Sequence, residues 1–140
     1  MRKIFITTAI DYTNDVVHVG HAYQKILADS LARYYRIVCG KKNVFFLTGT
    51  DEHGGNIEES AQKKGKSPKE FVDEIVSEDK KQWKALNISY DRFIRTTDED
   101  HKKAVEFNER AIKIAEEVGA VRYIRDAASA LYSSYKKIGQ

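Results

Sequence analysis

Strand-like and helical periods alternate along the 140 residues, which predicts an α/β fold: a parallel sheet of about four strands flanked by helices. Three observations carry this. Short apolar, β-branched runs alternate with amphipathic stretches of period three to four. The segments between them are short and carry glycine or a capping residue, and no repeat or low-complexity tract breaks the order.

Arg2 to Ala9, with Ile4, Phe5, Ile6, Thr7 and Thr8, reads as a first strand buried on both faces. Thr8 to His18 is then a polar loop. From Gly20 to about Val38, Ala22, Ile26, Leu27, Leu31, Tyr34 and Tyr35 recur at helical spacing, and Gly40 ends the helix. Val44 to Leu47 is a second strand, Thr48 to Gly55 a loop, and Ile57 to Lys64 a helix closed near Gly65. Ser67-Pro68-Lys69-Glu70 has the cap, first-turn proline and reciprocal acid of a helix start, so a helix is expected from Pro68 to Leu86. Arg92 to Thr96 is a short third strand. Asp98 caps a helix through Ala104, Phe107 and Ala115 to Gly119, Ala120 to Ile124 is a fourth strand, and Asp126 to Ile138 is a last helix.

The bulk properties fit one soluble domain over residues 1–140. Hydrophobic residues make up 41% and charged residues 32%, with one proline, Pro68. The single Cys39 has no disulfide partner and suits a reducing cytoplasm; no run reaches the roughly 20 apolar residues of a membrane span. A net charge of +3, with lysines interleaved among acids, is too mild to mark a nucleic-acid binder. A monomer without membrane attachment or metal site is expected.

Ligands of parallel sheets sit beyond the carboxyl ends of the strands, which directs attention to two loops. The first runs from Thr7 to His21 and ends in His18-Val19-Gly20-His21 at a helix start. Free backbone N–H groups and the helix dipole favour phosphate there, Gly20 permits close approach, and His18 and His21 share a face. Equally open is that one histidine only caps the helix while the other packs in the crevice. The second loop is Phe46-Leu47-Thr48-Gly49-Thr50-Asp51-Glu52-His53-Gly54. Asp51 could pair with an ammonium group and His53 reach a ribose or phosphate, although such turns are also ordinary loop chemistry.

Together these stretches resemble class I aminoacyl-tRNA synthetases. His18-Val19-Gly20-His21 is similar to the HIGH motif, and Thr8-x-Ile10-x-Tyr12-x-Asn14-Asp15-x-x-His18 looks like the methionine branch. Phe46 to Gly54 and Asn87 to Asp98 resemble two further segments of that branch, in the same order. The resemblance covers about residues 3 to 107. It implies a Rossmann-like, HUP-type nucleotide-binding domain that joins methionine to ATP, with Mg2+, and passes the methionyl group to transfer RNA. By position it places His18 and His21 at the ATP phosphates as catalytic groups, with Thr8, Gly20, His53 and Gly54 also on the nucleotide. Ile10, Tyr12 and Asp51 fall where the family contacts methionine, Asp51 at the amino group.

Departures from the family pattern are Ala9 and Val17 where prolines are usual, and Asp11 where an aromatic or proline is common. The chain contains no KMSKS-like stretch, so adenylate formation is expected to be weak if it occurs at all. The break near Phe107 predicts a shortened or engineered chain in which residues 108–140 form a rebuilt strand and helix. Val121 to Asp126 is faintly similar to a later turn of the family, but Leu131 stands where the family has a histidine. The alternative is a non-catalytic or engineered scaffold that keeps the HIGH loop as a relic.

Overall fold

A computed structural model describes residues 3–117. In order, the elements are β1 (Ile4–Thr7), β2 (Asp11–Tyr12), α1 (Val19–Cys39), a short 3-10 turn (Lys41–Asn43), β3 (Val44–Asp51), α2 (Gly55–Lys63), α3 (Pro68–Ala85), β4 (Arg92–Arg95) and α4 (Glu99–Glu117). The strand expected at 120–124 and the helix expected at 126–138 lie outside the described residues.

The α/β expectation holds: the four strands form one all-parallel sheet. Leu47 has partners on both edges, Thr7 and Arg92, and so has Thr50, in Asp11 and Arg95. β1 and β2 therefore share one edge of β3, and β4 takes the other. Between the pairs Thr7–Leu47 and Asp11–Thr50, residues 8, 9 and 10 face only 48 and 49, which is a one-residue bulge.

Three expectations need correction. Thr48 to Asp51 is strand, not loop, because β2 and β4 give this stretch partners on both edges and its β-branched threonines suit a buried ladder. Gly49 is where β3 and β4 crowd: a Cβ there would lie 2.0 Å from the Ile94 carbonyl oxygen. Asp11–Tyr12, taken as loop, is β2, since two residues carry too little pattern to be recognised. And among the described residues β1 is covered on one face only. Phe5 is 61% exposed and stacks on exposed Phe45 with ring centroids 5.8 Å apart, while Ile4 and Ile6 pack toward α1.

Two apolar clusters fix the helices. Ala28 and Ala32 of α1 meet Val44 and Phe46. Ile57 and Ala61 of α2 join Phe71, Val72, Ile75, Val76 and Trp83 of α3, with Val17 and Phe93. A large side chain buried as fully as Phe71 contributes about 1.5–3 kcal/mol. α3 starts as expected, with Ser67 and Glu70 capping each other reciprocally. Polar bonds tie α1 to the Asn87–Asp91 segment. Asp29 accepts from the Ser89 N–H (2.8 Å) and from Arg33 (2.6 Å), and Arg36 donates to the Ser89 carbonyl and to Asp91. Asp91 in turn accepts from the Phe46 N–H at 2.8 Å, so this segment anchors the sheet to α1.

Candidate functional site

His18 is the N-cap of α1 and His21 its third residue, and the two close a reciprocal cap. The Gly20 N–H donates to His18 Nδ1 and the His18 N–H donates to His21 Nδ1, both at 3.1 Å. Each Nδ1 uses its lone pair as acceptor, so in the neutral rings the proton sits on Nε2. The capping alternative and the phosphate alternative are thus compatible: one ring nitrogen serves the helix and the other is left as a donor. The rings lie together, centroids 4.1 Å apart, with His18 exposed and His21 half-buried. Gly20 makes room for this, because a Cβ there would lie 2.9 Å from His18 Cε1.

The bulge after β1 and the end of β3 bring a second group together. Tyr12 is paired with Asp51 across the ladder, and Thr13 donates to the Asp51 carbonyl from both its N–H and its Oγ1 at 3.1 Å. Asp51 is buried, 5% exposed. Burial, and after it the Asp51 charge, pushes the Tyr12 hydroxyl above its ordinary pKa, so this phenol stays protonated and able to donate. Thr8 is held by a 2.7 Å hydroxyl contact with Thr48, and Ile10 is half-buried in the bulge.

His53 and Gly54 are placed differently. His53 Nδ1 lies 2.9 Å from Thr96 Oγ1, which also accepts from the Glu52 N–H at 2.9 Å, so His53 faces the β4 edge. Gly54 is the N-cap of α2. Beside them is a cavity of about 630 Å³, lined among others by Glu52, His53, Gly54, Val72, Arg95 and Thr97. None of His18, His21, Tyr12 or Asp51 lines it. Of the sequence-derived residues, His53 and Gly54 thus line this cavity, while Tyr12 and Asp51 meet across the β2–β3 ladder.

Sequence reasoning missed two groups. Glu52, with no exposed side-chain surface, accepts from Thr50 Oγ1 (2.7 Å), Arg95 Nε (2.5 Å) and Thr97 Oγ1 (2.6 Å), and Arg95 also donates to Asp73 at 2.6 Å. Burial opposes the Arg95 charge, yet its bonds to Glu52 and Asp73 outweigh that and raise its pKa further. The other group is Lys25, wholly buried, with its ammonium 2.8 Å from Asp11. Nearby, buried Asp79 accepts from the Val17 N–H at 3.3 Å, and desolvation chiefly pushes its carboxyl up to about 6. The available signals were an acid at position 11 just after an apolar strand, and a lysine on the buried stripe of an amphipathic helix. Among the described residues, no helix is long and apolar enough to cross a membrane and no metal-holding cluster of His, Cys, Asp or Glu occurs.

Comparison with known proteins matches residues 4–135 to the family described as tRNA synthetases class I (M). The chain is 51% identical over 106 residues to the methionine–tRNA ligase of Helicobacter pylori strain J99, covering 76% of this chain and 16% of that protein. With the Deinococcus radiodurans ligase it shares 47% over 138 residues, 89% of this chain and 20% of that protein. Its fold superposes on Mycobacterium tuberculosis methionyl-tRNA synthetase in complex with methionyl-adenylate with a TM-score of 0.77 and 41% identity, over 83% of this chain and 22% of that one. The chain thus spans about a fifth or less of the length of the curated relatives it matches.

Proposed function

The chain belongs to the class I tRNA synthetases of the methionine type, and from that premise we propose that it is the ATP-binding part of a methionine-activating catalytic domain. The observation that carries this reading is the reciprocal histidine cap, which leaves two Nε2–H donors beside a helix N-terminus whose glycine admits close approach. ATP, accompanied by Mg2+, is assigned to the start of α1, with its phosphates on His18 and His21 and beside Gly20 and Thr8. His53 and Gly54 are assigned to the ribose or phosphate from the end of β3.

Methionine is assigned to the bulge, its ammonium on the Asp51 carboxylate and its side chain against Ile10 and Tyr12. The similar Mycobacterium tuberculosis synthetase is a complex with methionyl-adenylate, in which methionine and AMP are already joined, and this supports placing the two ligands side by side. In the reaction a methionine carboxylate oxygen attacks the α-phosphorus, the bond to the bridging oxygen breaks, and pyrophosphate leaves with its electron pair. No nucleophile from the chain is required. What the two imidazoles supply is hydrogen bonding to phosphate oxygens that strengthens as charge moves onto them, and what Asp51 supplies is orientation of the attacking carboxylate. Transfer of the methionyl group to transfer RNA is proposed only as the activity of a longer assembly like the relatives.

The scaffold alternative is separated by ATP titration of the thermal midpoint together with methionine-dependent exchange of pyrophosphate into ATP. Ligand binding to the folded state must raise the midpoint as ATP increases. The variant His18→Asn/His21→Gln keeps a capping box but removes both imidazole donors. A midpoint that rises for the wild type and stays level for this variant supports the proposal. A level response in both assigns the loop to a relic scaffold.

A further inference from the structure

A lysine with no exposed surface must find partners for its ammonium, and Lys25 finds them in the bulge between β1 and β2. Its Nζ donates to the Ala9 carbonyl at 3.0 Å and to Asp11 Oδ1 at 2.8 Å, with a longer 3.4 Å contact to Gln24. It also lies 5.7 Å from the Trp83 ring centroid of α3. Burial lowers the Lys25 pKa while the bond and charge of Asp11 oppose the shift. Ala9 and Asp11 flank Ile10 on either side, so this one ammonium clamps the backbone before it and the side chain after it. The clamp starts on α1, one helical turn beyond His21. At its two ends the bulge is also held by Thr8, through its N–H on Leu47 O and its hydroxyl on Thr48, and by Thr13, through its N–H and Oγ1 on Asp51 O.

Resting on the reading above, we propose that Lys25 is a positioning residue: from the helix that carries His18 and His21 it holds Ala9 and Asp11, and so fixes the bulge that presents Ile10 and Tyr12 to the amino acid. It touches neither substrate. It sets the amino-acid side of the site, whereas the histidine cap sets the phosphate side through bonds of its own. The acid at position 11 is accordingly the other half of the clamp, buried against Lys25.

The test compares the full chain with Lys25→Met/Asp11→Asn/Asp79→Asn, which removes the ion pair together with the buried acid beside it, so that neither carboxylate is left facing a missing cation. Lys25→Met alone serves as the harsher variant. Residue-resolved amide exchange is measured at a pH and temperature where both proteins are folded, and methionine and ATP are titrated separately. The expected result is exchange at the Thr8 and Thr13 amides at least tenfold faster, relative to the Leu86 amide at the end of α3. Methionine binding should weaken at least tenfold while ATP binding changes less than threefold. Uniform acceleration, or none, at Thr8 and Thr13 overturns the proposal, and so does equal methionine binding by both proteins. Selective acceleration in a protein that binds no methionine at all supports the clamp and refutes the amino-acid site instead.

Discussion

Two clusters of buried charge flank β3, and they are satisfied to different degrees. On the β4 edge, Glu52 accepts from three donors, and Arg95 divides itself between Glu52 and Asp73. Lys69 joins as a further donor to Asp73, and the hydrogen bonds from Lys69 and Arg95 hold the Asp73 carboxyl below its ordinary pKa. On the β1–β2 edge, Lys25 faces Asp11 while Asp79, with one backbone donor at 3.3 Å, is pushed upward by burial. Trp83 Nε1, also buried there, has no hydrogen-bond partner among the described residues. The first cluster ties α3 to β3 and β4 through satisfied donors, whereas the second leaves the desolvation of Asp79 incompletely offset next to the proposed site. Buried ion pairs seldom add net stability, so their arrangement is better explained by what they hold in place.

The most severe way to break this contrast is Arg95→Met, which strands the Glu52 carboxylate in a site with no exposed side-chain surface. Loss of about 3–5 kcal/mol is expected in urea unfolding, the range found when one partner of a buried pair is removed. A loss below about 1 kcal/mol would show that Glu52 finds other donors and that the tie is redundant.

The next effect is a pH dependence of opposite sign to that of an ordinary paired acid. Asp79 has a folded pKa of about 6, above its unfolded value of 3.8. Between those values the native state binds the proton more tightly, so stability conferred by this group is present below about pH 4 and falls as pH rises to about 6. The wild type should lose roughly 1–3 kcal/mol relative to Asp79→Asn between pH 4 and pH 7. The difference between the two proteins isolates this term from Asp29 and Asp73, whose pKa values are lowered. Parallel stability profiles would remove the claim.

A smaller effect is expected from Gly20→Ala. The new methyl displaces the His18 ring and loosens one arm of the reciprocal cap, at a cost of about 1 kcal/mol in thermal unfolding. ATP binding should weaken with it. Unchanged ATP binding would detach the cap from the phosphate site. Smallest of all is Lys63→Ala, which removes an exposed 3.4 Å pair with Glu59 and should leave the midpoint where it was.

Much of the fold could be read ahead of the structure wherever a signal is local. The cap at Ser67, the stripe of α1, the stop at Gly40 and the apolar runs of β1 and β3 depend on residues within a few positions of one another. Where pairing partners are distant, the sequence was silent. β3 continues through Thr48 to Asp51 only because Asp11 and Tyr12 pair with one edge and Arg92 to Arg95 with the other. Two-residue β2 has no periodicity to detect. The candidate site shows the same division: the sequence singles out the motif histidines and Asp51 from their loops, but not that His53 meets Thr96.

The order of residues alone determined the alternation of strand and helix, the helix starts and stops, and the three motifs that place the chain in its family. These follow from spacing along the backbone. Only the tertiary structure decided that Asp11 belongs to Lys25, Glu52 to Arg95, and Val17 to Asp79 across 62 positions of chain. The reason is desolvation: a charge acquires a partner because folding removes its water, and which partner is within reach depends on how strands and helices are stacked, not on where residues lie in the sequence.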